Sequence, residues 1–185
     1  MIYIADGAFR DGQPDERRSN AFDRILTILD IPRFQFEKAA WNEFFSIPQL
    51  GRLRPTYRDN IFKQRMRLRE GMRYLLDDNV GIRERLRAIL DPGGRFRIRG
   101  LGLNIVSKIL AVHDSQRWPV FNGPVEKTLR YFGYEPPRGV GRVGRYLKFA
   151  DAMESFRRDS GAPDVLALDA FFFEWHRKMK LKASP

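Results

Sequence analysis

Apolar residues recur along this chain at intervals of three and four, the period of one helical face, and strict alternation is almost absent. Phe22, Ile25, Leu26 and Leu29 form the first such face, with Asn20 placed to cap the helix and Pro32 to stop it. A second helix is predicted over 34–45, carrying Phe36, Ala40, Trp41 and Phe44 and ending before Pro48. A long third helix over 59–76 lines up Ile61, Leu68, Met72 and Leu75. The pattern then predicts helices over 82–90, halted by Asp-Pro-Gly-Gly, and from Leu103 onward. Three more follow over 124–132, 145–156 and 163–180, the first of these closed by Gly133. Strand signals are confined to Met1–Ile4 and Pro119–Phe121. The expected class is therefore all-α, about eight helices in one compact domain or two closely packed lobes. Residues 1–19 read as an N-terminal arm and 20–185 as a single helical domain.

Composition sharpens this picture. Hydrophobic residues make up 43% of the 185, with 15 Phe, enough for a packed core and too many for a disordered chain. No apolar run approaches the roughly 20 residues that cross a bilayer. The opening MIYIADGAFR has neither a basic leader nor a long apolar stretch, so no signal peptide is expected. Cysteine is absent, which fits a reducing, cytoplasmic setting. With two distant histidines and no thiol, no metal site and no cofactor are expected.

Charge points to a partner. Lys and Arg number 34 against 23 acids, a net charge of +11, and such an excess concentrates a polyanion around the protein. Nucleic acid is the leading candidate, and a membrane surface and other anionic partners, such as an acidic protein, are the alternatives that charge alone leaves open.

The most informative stretch is IRGLGLNIVSKIL, Ile98–Leu110, followed by WPVFNGPVEKTLRYFG. Glycines at 100 and 102 permit positive φ and close backbone approach. The helix opening at Leu103 then presents unpaired amides at its positive pole, a natural seat for a phosphate oxygen. Arg95, Arg97 and Arg99 alternate on the way in, and Lys108 stands one turn inside the helix. The expected nucleic-acid contacts are Arg97, Arg99, Gly100, Leu101, Gly102, Asn104 and Lys108. The loop PPRGVGRVG, Pro136–Gly144, reads as a hinge or a further phosphate contact. Arg52, Arg54 and Arg58, beside Lys63–Arg73, read as either a second DNA-facing strip or a solvated helix face.

These residues resemble the helix-hairpin-helix DNA glycosylase superfamily, the fold of endonuclease III and 8-oxoguanine glycosylase relatives. There an apolar-Pro-Gly-x-Gly hairpin opens a helix, and a short Val-Asp segment leads into another that ends near Arg-Leu-Gly. The resemblance covers Ile98–Gly133 and places the helix-hairpin-helix motif at about 82–112. It implies a glycosylase-like fold and double-stranded DNA as partner. Gly100 and Gly102 match the hairpin glycines, with Arg99 in place of the proline. Asn104 stands where lyase-type members carry a nucleophilic lysine, and Asn122 where nearly all members carry the catalytic aspartate.

Both departures remove chemistry. Asn stays neutral and takes up no proton, and it forms no Schiff base. Lys108 and Asp114 are the substitutes a shifted alignment offers, and Asn122 with Gly123-Pro124 also makes an ordinary helix cap. Trp118, Phe121 and Asn122 are candidates to hold an extruded base, with Trp41 and Trp175 as further aromatics whose commoner place is the core. No carboxylate is expected within reach of a pocket floored by Asn122 with room above it for a base. The implied role is a DNA-binding reader or positioning module for damaged, modified or foreign DNA in repair or defence, alongside a nuclease on another chain. The alternatives are an atypical glycosylase excising a modified base, a basic protein-interaction domain, and an RNA binder.

Overall fold

The computed structural model describes residues 16–48 and 53–182, and the strand expected at Met1–Ile4 and the cation Arg52 lie outside them. Among the described residues the chain forms nine α-helices and no strand. They are α1 (Glu16–Ile28), α2 (Lys38–Ser46), α3 (Arg58–Lys63), α4 (Arg65–Leu75), α5 (Ile82–Leu90), α6 (Leu103–His113), α7 (Gly123–Tyr131), α8 (Arg142–Ser160) and α9 (Val165–Lys182). A single 3-10 turn, Pro55–Tyr57, leads into α3. No described helix is long and apolar enough to cross a membrane.

The apolar stripes pack into one continuous core. At its centre lies α6, whose residues from Ile105 to Val112 are all buried. Against it rest α1 and the aromatic group of Trp41, Phe44 and Phe45 on α2, with Phe36 stacked on Trp41 at 5.6 Å. Burying each such side chain is worth about 1.5–3 kcal/mol, so this cluster anchors the first half of the chain. In the second half α7 lies along α9, joined by Thr128 Oγ1 donating to the Phe172 carbonyl at 3.1 Å. α5 joins the halves by packing on α4 and α8.

Several predicted boundaries move. α1 starts at Glu16, so Asn20 is an interior residue and not its cap. α2 starts at Lys38 because Phe34, buried with φ 54°, keeps the preceding chain out of the helical conformation. The long third helix is two, broken at Gln64, whose φ −102° and ψ 36° interrupt the ladder while both pieces keep their apolar stripe inward. α8 begins three residues earlier than predicted, at Arg142. Pro119–Phe121 is an extended connection from α6 to α7, and the Phe121 amide donates to Ser107 Oγ at 2.9 Å rather than to a neighbouring strand.

Candidate nucleic-acid interface

The turn that opens α6 is anchored by Ile98 and Leu101, both buried, with the Leu101 amide donating to the Ile98 carbonyl at 3.1 Å. Gly100 sits at φ 97°, a conformation that strains any residue with a Cβ. Space forbids a side chain there as well, since a Cβ would meet that of Tyr57 at 2.3 Å. Gly102 differs. Its backbone is extended, φ −118° and ψ −179°, and a Cβ would meet nothing within 4 Å. Only the first glycine is thus required by the turn; the second leaves the helix end uncovered.

Two side chains brace this backbone. Arg97 Nη1 donates to the carbonyls of Ile98 and Leu101, each at 2.9 Å, and Asn60 Nδ2 donates to the Arg99 carbonyl at 3.1 Å. The Gly102 carbonyl accepts from Ile105 and Val106, closing the first turn of α6. No side chain caps that helix, so the amides of Gly102, Leu103 and Asn104 have no acceptor among the described residues. They are orphan donors at the positive pole.

They open onto a cleft of about 540 Å³. Its walls bring together Arg97, Arg99 and residues Gly100–Asn104 from the turn, Tyr57 from the 3-10 turn, Phe121 from the extended connection, and Arg142 and Arg145 from the first turn of α8. No carboxylate lines it. Arg145 is held from behind by the buried Glu126, which accepts from its Nε at 3.0 Å and its Nη2 at 2.6 Å. That hydrogen-bonded pairing raises the Arg145 guanidinium above its ordinary value. Arg97 is shifted the other way, first by burial and then by the charge of Arg142. Arg97, Arg99 and Arg142 have no carboxylate partner among the described residues. Three uncompensated guanidiniums therefore converge on one cavity.

Six of the expected contacts, Arg97, Arg99, Gly100, Leu101, Gly102 and Asn104, line this cleft, and Lys108 does not. Its side chain is fully buried, with Nζ donating to the Ile47 carbonyl at 2.9 Å and lying 5.3 Å from the centre of the Phe44 ring. Burial lowers its ammonium from 10.5 to about 8. The face of α6 that is open at Asn104 is covered by the end of α2 one turn later. As placed, Lys108 reaches neither a phosphate nor an extruded nucleotide. Asp114 caps the opposite end of α6, about 16 Å along an eleven-residue helix, and its carbonyl accepts from Trp118 at 3.0 Å.

Asn122 is the cap of α7. Its Oδ1 accepts from the Val125 amide at 2.9 Å, and its Nδ2 donates to Asp169 Oδ1 at 2.9 Å. α9 thus brings a buried carboxylate onto Asn122, although neither Asn122 nor Asp169 lines the cleft. Of the candidate aromatics only Phe121 borders the cleft. Trp118 is buried and stacked on Tyr146 at 6.4 Å, Trp41 donates its indole N–H to the Arg58 carbonyl at 3.0 Å, and Trp175 belongs to the ring cluster with Tyr131, Phe132 and Phe171.

The basic strip divides. Arg69 and Arg73 clamp the carbonyls of Phe36 and Arg33, whereas Arg54, Lys63, Arg65 and Arg67 are exposed. Reading the sequence missed Tyr57 and Arg145 and noted Arg142 only as part of a basic loop. Arg142 and Arg145 had a local signal, because three residues apart at a helix start they share a face. Tyr57 had none. Comparison of the chain with family models, with curated proteins and with solved structures finds no match in any of the three.

Proposed function

We propose that the Gly100–Gly102 turn and its arginines bind the sugar-phosphate backbone of DNA, and that the protein reads or positions damaged, modified or foreign DNA without excising bases. One observation carries the reading: orphan amides and four arginines from two separate elements line a single cleft that holds no carboxylate. A phosphate satisfies both the donors and the charge. The resemblance to helix-hairpin-helix glycosylases supports DNA as the polymer. The lack of base-excision chemistry is supported by Asn122, whose amide is engaged at both ends, and by the burial of Lys108.

Fluorescence anisotropy with a labelled duplex across a salt series tests the reading. Arg99→Ala combined with Arg142→Ala is expected to weaken binding at least tenfold and to flatten the log K against log salt slope by about 1 to 2, near 0.9 per lost phosphate contact. Arg158→Ala, about 24 Å along α8 from Arg142, leaves both unchanged. Equal losses in the two variants would sink the assignment of the site.

The buried Asp169 carboxylate beside Asn122 favours one second reading, an atypical glycosylase in which Asp169 supplies the missing acid. Duplexes carrying varied modified bases, incubated with the protein and heated in alkali, separate the two. Strand scission abolished by Asp169→Asn establishes excision; intact strands exclude it for those bases.

A further inference from the structure

We infer that the cleft prefers a terminal phosphate, a phosphomonoester dianion carried by a nucleotide, over an internal phosphodiester. The inference rests on the phosphate-binding reading above and narrows it to a ligand class.

Charge counting comes first. Arg145 is neutralised by Glu126, but Arg97, Arg99 and Arg142 are not paired with any described carboxylate. A phosphodiester brings one negative charge into this cavity and leaves two guanidiniums uncompensated. A phosphomonoester brings about −1.5 to −2 at neutral pH and three strong acceptor oxygens. Its oxygens match both sets of donors, the amides that open α6 and the guanidinium forks.

Shape comes second. The arginines converge from the turn and from α8 on one volume, rather than forming a stripe along which a continuous backbone would run. About 540 Å³ falls in the range of small-ligand pockets and exceeds what one phosphate group fills. Tyr57, held against Gly100 and 43% exposed, supplies aromatic surface that a sugar or base would meet, and Phe121 borders the cleft beneath the Arg145 guanidinium. The same chemistry has two sources, a phosphorylated strand end and a free mononucleotide.

The test compares duplexes of one sequence that carry a 5′-phosphate, a 3′-phosphate or only hydroxyl ends, with an internal fluorophore and the full chain. At pH 7.5 at least tenfold tighter binding of one phosphate-ended duplex is expected, abolished by Arg142→Ala. At pH 5, below the second phosphate pKa of about 6, the preference collapses while binding of the hydroxyl-ended duplex persists. Competition by dAMP, with deoxyadenosine as control, identifies the source. If dAMP displaces the phosphate-ended duplex at concentrations near the duplex's own Kd, the ligand is a free nucleotide; if it does not, the ligand is a strand end. Equal binding of all three duplexes, still weakened by the arginine substitutions, overturns the inference and leaves the backbone reading standing. Absence of salt-sensitive binding to any of them overturns both.

Discussion

Asn122 and Asp169, both buried, meet at 2.9 Å, with the amide of one donating to the carboxylate of the other. Asp169 comes from α9 and Asn122 caps α7, so this bond ties the start of one helix to the flank of its partner. The position where the resemblance implies a catalytic aspartate is here the side-chain cap of α7. An aspartate at 122 would face a second carboxylate at the same distance.

Asn122→Asp is accordingly expected to destabilise the fold by about 2–4 kcal/mol, since two buried like charges cannot both stay ionised. One of the pair must hold a proton in the folded state. Its folded pKa then lies above its unfolded value, so the stability it contributes is present at low pH and lost as pH rises. Urea unfolding should show a smaller deficit at pH 5 than at pH 7.5. The substitution is also expected to create no base excision, which incubation with modified duplexes followed by alkali checks directly.

Gly100→Ala is predicted to cost about 2–4 kcal/mol, through φ 97° and through the collision with Tyr57. In a Tyr57→Gly background, which removes the Cβ that the alanine would strike, Gly100→Ala should lose the collision and keep the backbone strain, costing about 1–2 kcal/mol relative to Tyr57→Gly alone. Gly102→Ala, in extended backbone with open space around it, should change stability by less than about 1 kcal/mol. Thermal melts of Gly100→Ala, Tyr57→Gly, their combination and Gly102→Ala separate these effects.

The two glycines show how far the sequence could be read. The turn itself was legible because its determinants are local: a glycine doublet, alternating arginines and an apolar helix face all lie within a dozen or so residues. α5 came out residue for residue for the same reason, between Gly81 and Asp91-Pro92. The break at Gln64 was invisible, because Ile61 and Leu68 stand seven apart whether one helix or two carry them. Phe34 in the left-handed region leaves no compositional trace. Tyr57 on Gly100, Lys108 under α2 and Asp169 at Asn122 are contacts across 43, 61 and 47 positions, set by tertiary packing alone.

Lys108 gives the chain an alkaline stability profile. Its folded pKa of about 8 lies below the ordinary 10.5. Between those values the unfolded chain binds a proton that the folded chain has released, so stability rises with pH across that window, by about 3 kcal/mol at most. Burial raises the Tyr146 and Tyr134 hydroxyls, which reverses the trend above their ordinary value of 10.0. Urea midpoints are therefore expected to climb from about pH 7.5 to a maximum near pH 9–10 and then fall. In Lys108→Met, which keeps most of the length of the side chain without its charge, the rise should vanish and the later fall remain.

Glu126 sets the balance between fold and site. It is buried, it binds Arg145 in two places, and it lies 3.7 Å from Arg130. Glu126→Gln removes the only carboxylate partner, among the described residues, of a guanidinium that lines the cleft. Arg145 is 42% exposed, so water takes over part of the lost interaction, and the expected cost to stability is about 1–2 kcal/mol, below that of breaking a fully buried pair. Binding should move the opposite way. With a fourth uncompensated charge at the cleft, duplex affinity rises at low salt and the log K against log salt slope steepens by up to about 1. Anisotropy titrations and urea unfolding on the same preparation measure both effects. A variant that loses stability and affinity together would show that Glu126 holds the cleft in shape rather than tempering its charge.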